Sequence, residues 1–276
     1  MISFPFALAA VLALFSIALY NPSSTVPSTS SFPTTNGIPS RVLLLTAHPD
    51  DEAFFFGPTI TALNSLEDVT IYSLCLSVGD GDGDGEVRTK ELERSLDVLG
   101  IEEGRRRVLD KVGLKDGINT LWDASLVAES VLPFVLEHNI TSILTFDNQG
   151  ISSHPNHRSL YAGTHALLAH PSTPRTIQAY ALLTVPLPIK YISFLSSLQA
   201  KLDIFLAHNP FVRFFTQQQG DIGVPVPVFV AGLQDWTRVV RAVLEHWSQM
   251  KWFRWLGVVG SRYFWVNEWV EIRRAT

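Results

Sequence analysis

The sequence predicts an α/β fold in which a parallel sheet carries helices on both faces. Three observations lead there. From residue 41 onward, short runs rich in Val, Ile and Leu alternate with longer helical segments. Side chains able to do chemistry follow directly after two of those runs, where open α/β sheets collect ligands at the carboxyl ends of their strands. With 276 residues, 46% of them hydrophobic, the chain can bury one sizeable core, so we read a single catalytic domain with appendages.

The elements follow in order. Ile2 to Tyr20 is an apolar run inside a stretch of forty residues that carries no charged side chain, and about 20 such residues cross a bilayer. Residues 1–20 are therefore expected to form an N-terminal transmembrane helix. A cleaved signal peptide is the weaker reading, because no basic residue precedes the run. Residues 21–40, rich in Ser, Thr and Pro, have too little apolar content to pack and read as a flexible tether. Residues 41–276 form the remaining domain. Arg41-Val42-Leu43-Leu44-Leu45-Thr46 is its first strand, followed by a helix near 52–66. Val69-Thr70-Ile71-Tyr72-Ser73-Leu74 has the β-branched and aromatic content of a second strand, near 69–76. A helix near 87–99, a strand near 106–109, a helix near 124–138, the strand Ser142 to Phe146 and a helix from about 156 to 168 complete the alternation.

Farther along, Ile189 to Leu206 and Trp252 to Trp269 are apolar and aromatic, and Trp236, Trp247, Trp252, Trp255, Trp265 and Trp269 crowd together. Neither segment reads as a second span: Lys190, Lys201 and Asp203 interrupt or flank one, and Arg254, Arg262 and Glu268 break the other. From Arg238 onward basic residues outnumber acidic ones. Aromatic rings beside cations suit a face resting on lipid headgroups, so a membrane-proximal aromatic C-terminal region is expected.

The formal net charge is −5 and no basic stripe interleaved with aromatics dominates, which excludes a nucleic-acid partner. No glycine-rich dinucleotide fingerprint follows a strand, so the fold class carries no oxidoreductase implication. The lone Cys75 rules out an intrachain disulfide and a thiolate-rich structural metal site.

Two clusters carry the chemistry: Ala47-His48-Pro49-Asp50-Asp51-Glu52 after the first strand, and His154-Pro155-Asn156-His157 opening a helix. Neutral imidazole and carboxylate suit zinc or another divalent transition metal, and three protein ligands leave a position for water. Such a site implies metal-assisted hydrolysis. Adjacent Asp50 and Asp51 point in different directions, so at most one joins His48 on the metal and the other is free to act as a base. His154 and His157, at i and i+3, share one helix face, one ligating and one contacting substrate. Any single histidine is more often a plain polar or core group; two clusters with an Asp pair favour the metal.

These motifs resemble the signature of the zinc-dependent PIG-L/LmbE-like de-N-acetylases. Further segments are similar to the family's eukaryotic membrane branch: Phe54-Phe55-Phe56-Gly57-Pro58-Thr59, Ser77-Val78-Gly79 with Gly85 to Leu92, and His246-Trp247-Ser248-Gln249. The resemblance covers roughly residues 41 to 270. It implies a Rossmann-like three-layer sandwich with a mainly parallel sheet, and Zn2+ as cofactor. It also implies that His48, Asp51 and His157 bind the metal, that Asp50 is the general base, and that His154 stabilises the oxyanion or protonates the leaving amine. Arg88 matches a family arginine that contacts substrate, against the plainer reading of a solvated helix charge. His246 is a further candidate for the substrate pocket, against that of a helix-surface histidine. The implied reaction is deacetylation of an inositol glycolipid, N-acetylglucosaminyl-phosphatidylinositol, in glycolipid-anchor synthesis. The implied place is the endoplasmic reticulum membrane, single-pass, with the catalytic domain in the cytosol. Competing readings are a deacetylase of another N-acetylated sugar conjugate and a noncatalytic membrane-bound subunit that keeps the fold. The complete base and ligand set argues against the second.

One spacing misleads. Asp80, Asp82, Asp84, Gly85, Val87 and Glu91 match a calcium-binding EF-hand loop, yet a strand rather than a helix precedes them, so a flexible acidic turn bordering the active site is expected.

Overall fold

The computed structural model describes residues 4–25, 32, 39–81, 83–208 and 227–274. Its strands are β1 (Ser23–Thr25), β2 (Ser40–Thr46), β3 (Val69–Cys75), β4 (Arg106–Val108), β5 (Ser142–Phe146), β6 (Gln178–Leu182), β7 (Val228–Val230) and β8 (Val266–Glu271). They form one sheet in the order β1-β7-β8-β6-β5-β2-β3-β4. The block β4-β3-β2-β5-β6 is parallel throughout. β8, β7 and β1 extend it antiparallel beyond β6. The expected α/β architecture is present, in a mixed sheet whose five-strand block is the parallel part.

β2 and β5 are central and buried on both faces, which is why Val42 to Leu45 and Ile143-Leu144 show no apolar/polar alternation. From β2 the chain winds outward through β3 and β4, then returns to start β5 on the other side of β2. That reversal opens a crevice at the carboxyl ends of β2 and β5, the switch point where doubly wound sheets bind ligands.

The helix expected near 52–66 is two: α2 (Asp51–Phe55) and α3 (Gly57–Asn64). Pro58 lacks an N–H and fits only a first helical turn, so the helix restarts there. The restart needs glycine at 57, since a Cβ there would fall 2.4 Å from Val239 Cγ2 of α10 (Leu233–Glu245), which packs against α3. α4 (Gly85–Leu99) begins two residues before the expected helix, because Asp84 caps it by accepting from Glu86 N at 2.9 Å and Val87 N at 3.3 Å. It ends at Gly100, whose φ of 82° suits a residue without a Cβ. α5 (Ala124–Glu137) and α7 (Pro155–Ala169) fall where the periodicity places them and pack together.

Three expectations are corrected. The N-terminal helix α1 (Phe4–Tyr20) has 17 residues, about 25 Å at 1.5 Å per residue against a hydrocarbon core of about 30 Å. No helix among the described residues is long and apolar enough to cross a membrane, so the transmembrane anchor is not supported. The tether is not free at its start, because Ser23–Thr25 pairs with β7. Phe32 is also buried, its ring 4.3 Å from Tyr180 and 5.7 Å from Phe229; residues 26–31 and 33–38 lie outside the described residues. Finally, the tryptophan crowd divides. Trp265 and Trp269 are core, and Trp236 stacks on Trp265 at 5.5 Å, whereas Trp247, Trp252 and Trp255 are exposed.

Candidate active site

At the end of β2 the chain passes through His48, Pro49 and Asp50 into α2. Asp51, in the first helical position, reaches back so that its Oδ2 accepts from Ala47 N at 2.9 Å and His48 N at 3.0 Å. The carboxylate is locked by backbone donors, and Oδ1 is turned the other way, 3.0 Å from His157 Nε2. Past β5, Asp147 holds the next loop by accepting from Gln149 N, Gly150 N and Thr184 N and Oγ1. Gly150, at φ 63°, presents its carbonyl to His157 Nδ1 at 3.1 Å. The His157 ring lies flat on Phe146, centroids 4.1 Å apart at 4°, so its orientation is set from two sides.

Two ring nitrogens and a carboxylate converge. His48 Nδ1 lies 3.3 Å from His157 Nε2, and Asp51 places Oδ1 3.0 Å from His157 Nε2 and Oδ2 3.9 Å from His48 Nδ1. Ligands 2.0–2.1 Å from a tetrahedral zinc stand about 3.3–3.4 Å apart, so the His48–His157 spacing is one that a single ion could bridge, with Asp51 Oδ1 beside it. The outer nitrogens fit as well. His48 Nε2 faces Asn156 Oδ1 at 3.0 Å and Asp116 Oδ1 at 3.2 Å, and His157 Nδ1 faces the Gly150 carbonyl. Metal-bound imidazoles characteristically donate their second N–H to such acceptors. His48, His154 and His157 also bring ring nitrogens within 4.8 Å of one another. His154 suits a different role, since its Nδ1 accepts from Asn156 N at 3.3 Å, which leaves the proton of the neutral ring on Nε2.

Electrostatics point the same way. Burial works against charge on His48, but hydrogen bonds to Asp116 and Asp51 outweigh it and raise its pKa to about 10. Burial likewise works against the Asp51 carboxylate, and the charges and hydrogen bonds of His157 and His48 hold it well below the usual carboxylate range. A pocket that binds a proton this firmly favours positive charge, which a cation could also supply. His154 moves the other way, to about 4, through burial and then the neighbouring His48 and His157. It is neutral near pH 7.

Around this centre lies a cleft of about 1100 Å³. Asp50 lines it, and its Oδ2 meets Arg88 Nη2 at 3.3 Å and Arg254 Nη1 of α11 (Trp252–Gly260). Arg88 is buried and pinned: it donates to Gly79 O at 2.6 Å and Pro49 O at 2.8 Å and reaches Asp116 at 3.4 Å. It is no solvated helix charge. His246 lies elsewhere. It is fully buried, does not line the cleft, and places Nε2 2.6 Å from Glu52 Oε1.

Asp116 and Arg254 were not singled out from the sequence. Asp116 sits in irregular chain between two short elements, where no periodicity marks it, and Arg254 looked like a break in an apolar segment. Described side chains of the acidic loop and of α4 behind it are engaged within the protein. Asp84 caps α4, Asp80 pairs with Lys115 at 3.0 Å, and Glu91 accepts from Ser248 N and Oγ at 2.8 and 2.7 Å. The loop does border the cleft, through Gly81; Asp82 lies outside the described residues.

Comparison with known proteins gives the family and the fold. The family model of PIG-L, GlcNAc-PI de-N-acetylase, matches residues 43–168, which span both motifs. The chain is 34% identical over 228 residues to the N-acetylglucosaminyl-phosphatidylinositol de-N-acetylase of Bos taurus, covering 83% of this chain and 82% of that one. It is 33% identical over 237 residues to the probable enzyme of the same name from Schizosaccharomyces pombe, covering 85% and 87%. In fold it is similar to N,N'-diacetylchitobiose deacetylase from Pyrococcus horikoshii, with a TM-score of 0.55 at 15% identity over 99% of this chain and 94% of that one. It is also similar to the A40926 pseudoaglycone deacetylase, with a TM-score of 0.54 at 14% identity over 86% and 99%. The chain belongs to the PIG-L family of de-N-acetylases, hydrolases that cleave an N-acetyl amide.

Proposed function

We propose that this protein hydrolyses the acetamide of N-acetylglucosaminyl-phosphatidylinositol, yielding glucosaminyl-phosphatidylinositol and acetate. The observation that carries the reading is the convergence of His48 Nδ1, His157 Nε2 and the Asp51 carboxylate beside an unligated Asp50 and a neutral His154. Relatives named for that substrate, matched over most of their length, support its identity.

His48, Asp51 and His157 would hold the metal, zinc or another divalent transition ion. When bound, it lowers the pKa of a coordinated water from about 15.7 to about 7 and polarises the acyl oxygen. Asp50 takes the proton of the attacking water. Both guanidinium contacts fall on its Oδ2, so Oδ1 is the oxygen with capacity to spare. His154, neutral and carrying its proton on Nε2, donates to the oxyanion that develops on the acyl carbon. The proton held by Asp50 then passes to the departing nitrogen, so the amine leaves neutral and acetic acid stays behind; the acid then gives up its own proton to solvent or to the freed amine and becomes acetate.

A lipid substrate keeps its chains in the bilayer, and the mouth of the cleft suits that. α11 lines the cleft through Phe253, Arg254 and Leu256 while exposing Trp252 (77%), Leu256 (62%) and Val259 (69%). Lys190 and Lys251 stand on the same rim, where anionic headgroups would meet them. With relatives named for this glycolipid, the reading puts the protein at the endoplasmic reticulum membrane with this rim toward lipid, and proposes that the catalytic domain lies in the cytosol. Asp50→Asn is expected to keep stoichiometric metal and to lose acetate release from the lipid by 100-fold or more, in the range general bases supply. His157→Ala is expected to lose both. Normal turnover by Asp50→Asn overturns the assignment of the base.

A further inference from the structure

We infer that Glu52 and His246 form a positioning brace that holds Asp50 in its working orientation; this rests on Asp50 being the base proposed above. An aspartate at a helix N-cap ordinarily turns its carboxylate onto the N–H groups of its own helix. Asp50 stands at the N-cap of α2 and makes no such bond. Its φ is 122° with ψ −23°, a backbone conformation that an L side chain rarely adopts, and its carboxylate faces the cleft. Something must hold the backbone there.

Glu52 does so. Its Oε2, from the second helical position, reaches back and accepts from Asp50 N at 3.1 Å. Its Oε1 accepts from Ser95 Oγ at 2.5 Å and meets His246 Nε2 at 2.6 Å. Glu52 and His246 are both fully buried, from elements 194 residues apart in sequence, and neither lines the cleft. A carboxylate this buried keeps one geometry only while its partners are in place. His246 ends α10 and Ser95 belongs to α4, so two packed helices fix Glu52, Glu52 fixes the Asp50 backbone, and the Asp50 carboxylate is left for the reaction. His246 and Glu52 are positioning residues; neither touches substrate.

The full-length protein is assayed for metal content, and for kcat and KM in acetate release from N-acetylglucosaminyl-phosphatidylinositol in mixed micelles. His246→Leu is expected to lower kcat at least tenfold with KM and metal stoichiometry unchanged, and His246→Gln, which still offers an N–H to Glu52, to recover most of it. In an Asp50→Asn background His246→Leu should cost nothing further, because the group it positions is gone. A purely structural role predicts the opposite: fewer folded molecules or a lower Tm, unchanged kcat per metal-loaded site, and additive losses. Either unchanged kcat or additivity overturns the brace. Should His246→Leu fail to fold, Ser95→Ala, which removes another donor from the same oxygen, is judged by the same criteria. If Asp50 is not the base, Asp50→Asn itself retains turnover, an outcome distinct from an inactive Asp50→Asn beside a fully active His246→Leu.

Discussion

His48 shows how one side chain registers the charge of its site. The carboxylates that flank it, Asp116 and Asp51, raise its pKa to about 10 in the metal-free protein. A histidine whose folded pKa is raised contributes stability that is complete below its unfolded value near 6.5 and is lost as pH climbs toward 10. His246, where the charge of Glu52 outweighs burial, adds in the same sense. Metal-free protein should therefore lose Tm steadily between pH 6.5 and 10, while metal-loaded protein, whose His48 is already deprotonated by ligation, should lose less. Thermal melts of both forms across that window check this, and matching slopes would contradict it. Cys75, at the other extreme, has its thiol pushed up by burial and then by the charge of Asp51, so it stays an unreactive core group.

Two helices do work at the level of the element that their composition only half discloses. The break between α2 and α3 lets α10 approach so closely that a methyl group at residue 57 meets Val239 at 2.4 Å. Gly57→Ala should destabilise the fold by about 1–3 kcal/mol, as overpacking of a filled core does, measurable as a shift in the denaturation midpoint; a change within error would mean that α10 yields freely. α11 reads in sequence as an apolar segment spoiled by an arginine. In the fold that arginine is the one side chain of the helix to reach Asp50, while the outer side chains stay exposed. Contacts with the 187–195 segment, Ser193 N to Gly260 O at 2.9 Å, fasten α11 beside Phe194, whose ring meets Phe15 of α1 at 5.9 Å. Replacing Trp252 and Val259 together by Ser should cut acetate release from substrate embedded in anionic vesicles about tenfold or more, and leave hydrolysis of a soluble headgroup analogue unchanged. Equal effects on both substrates would remove the lipid-facing role.

For the whole molecule, much of the plan was legible because parallel central strands and their crossover helices write strong local patterns. β2, β3 and β5 are rich in β-branched and apolar residues, and helices α4, α5 and α7 fall within a few residues of their expected limits. The two His/Asp motifs were legible because their side chains sit next to one another in sequence at strand and helix ends. What escaped depends on distant pairing. β1 and β7 have three residues each and pair only with chain far off in sequence, and a three-residue strand in a Ser/Thr/Pro segment has no periodicity to betray it. Asp116, Arg254 and the burial of His246 arise only once loops and helices from separate parts of the chain close around the β2/β5 crevice. α1 kept its helical character but not the length its composition suggested. The central claim is that His48, Asp51 and His157 hold one catalytic metal, and metal analysis of the purified chain coupled to acetate release from the lipid tests it most directly. The account predicts one equivalent of zinc or a comparable divalent ion per chain, with activity that is lost on chelation, returns on reloading and is absent from His157→Ala, which binds none; full turnover by metal-free protein, or by His157→Ala, would contradict it.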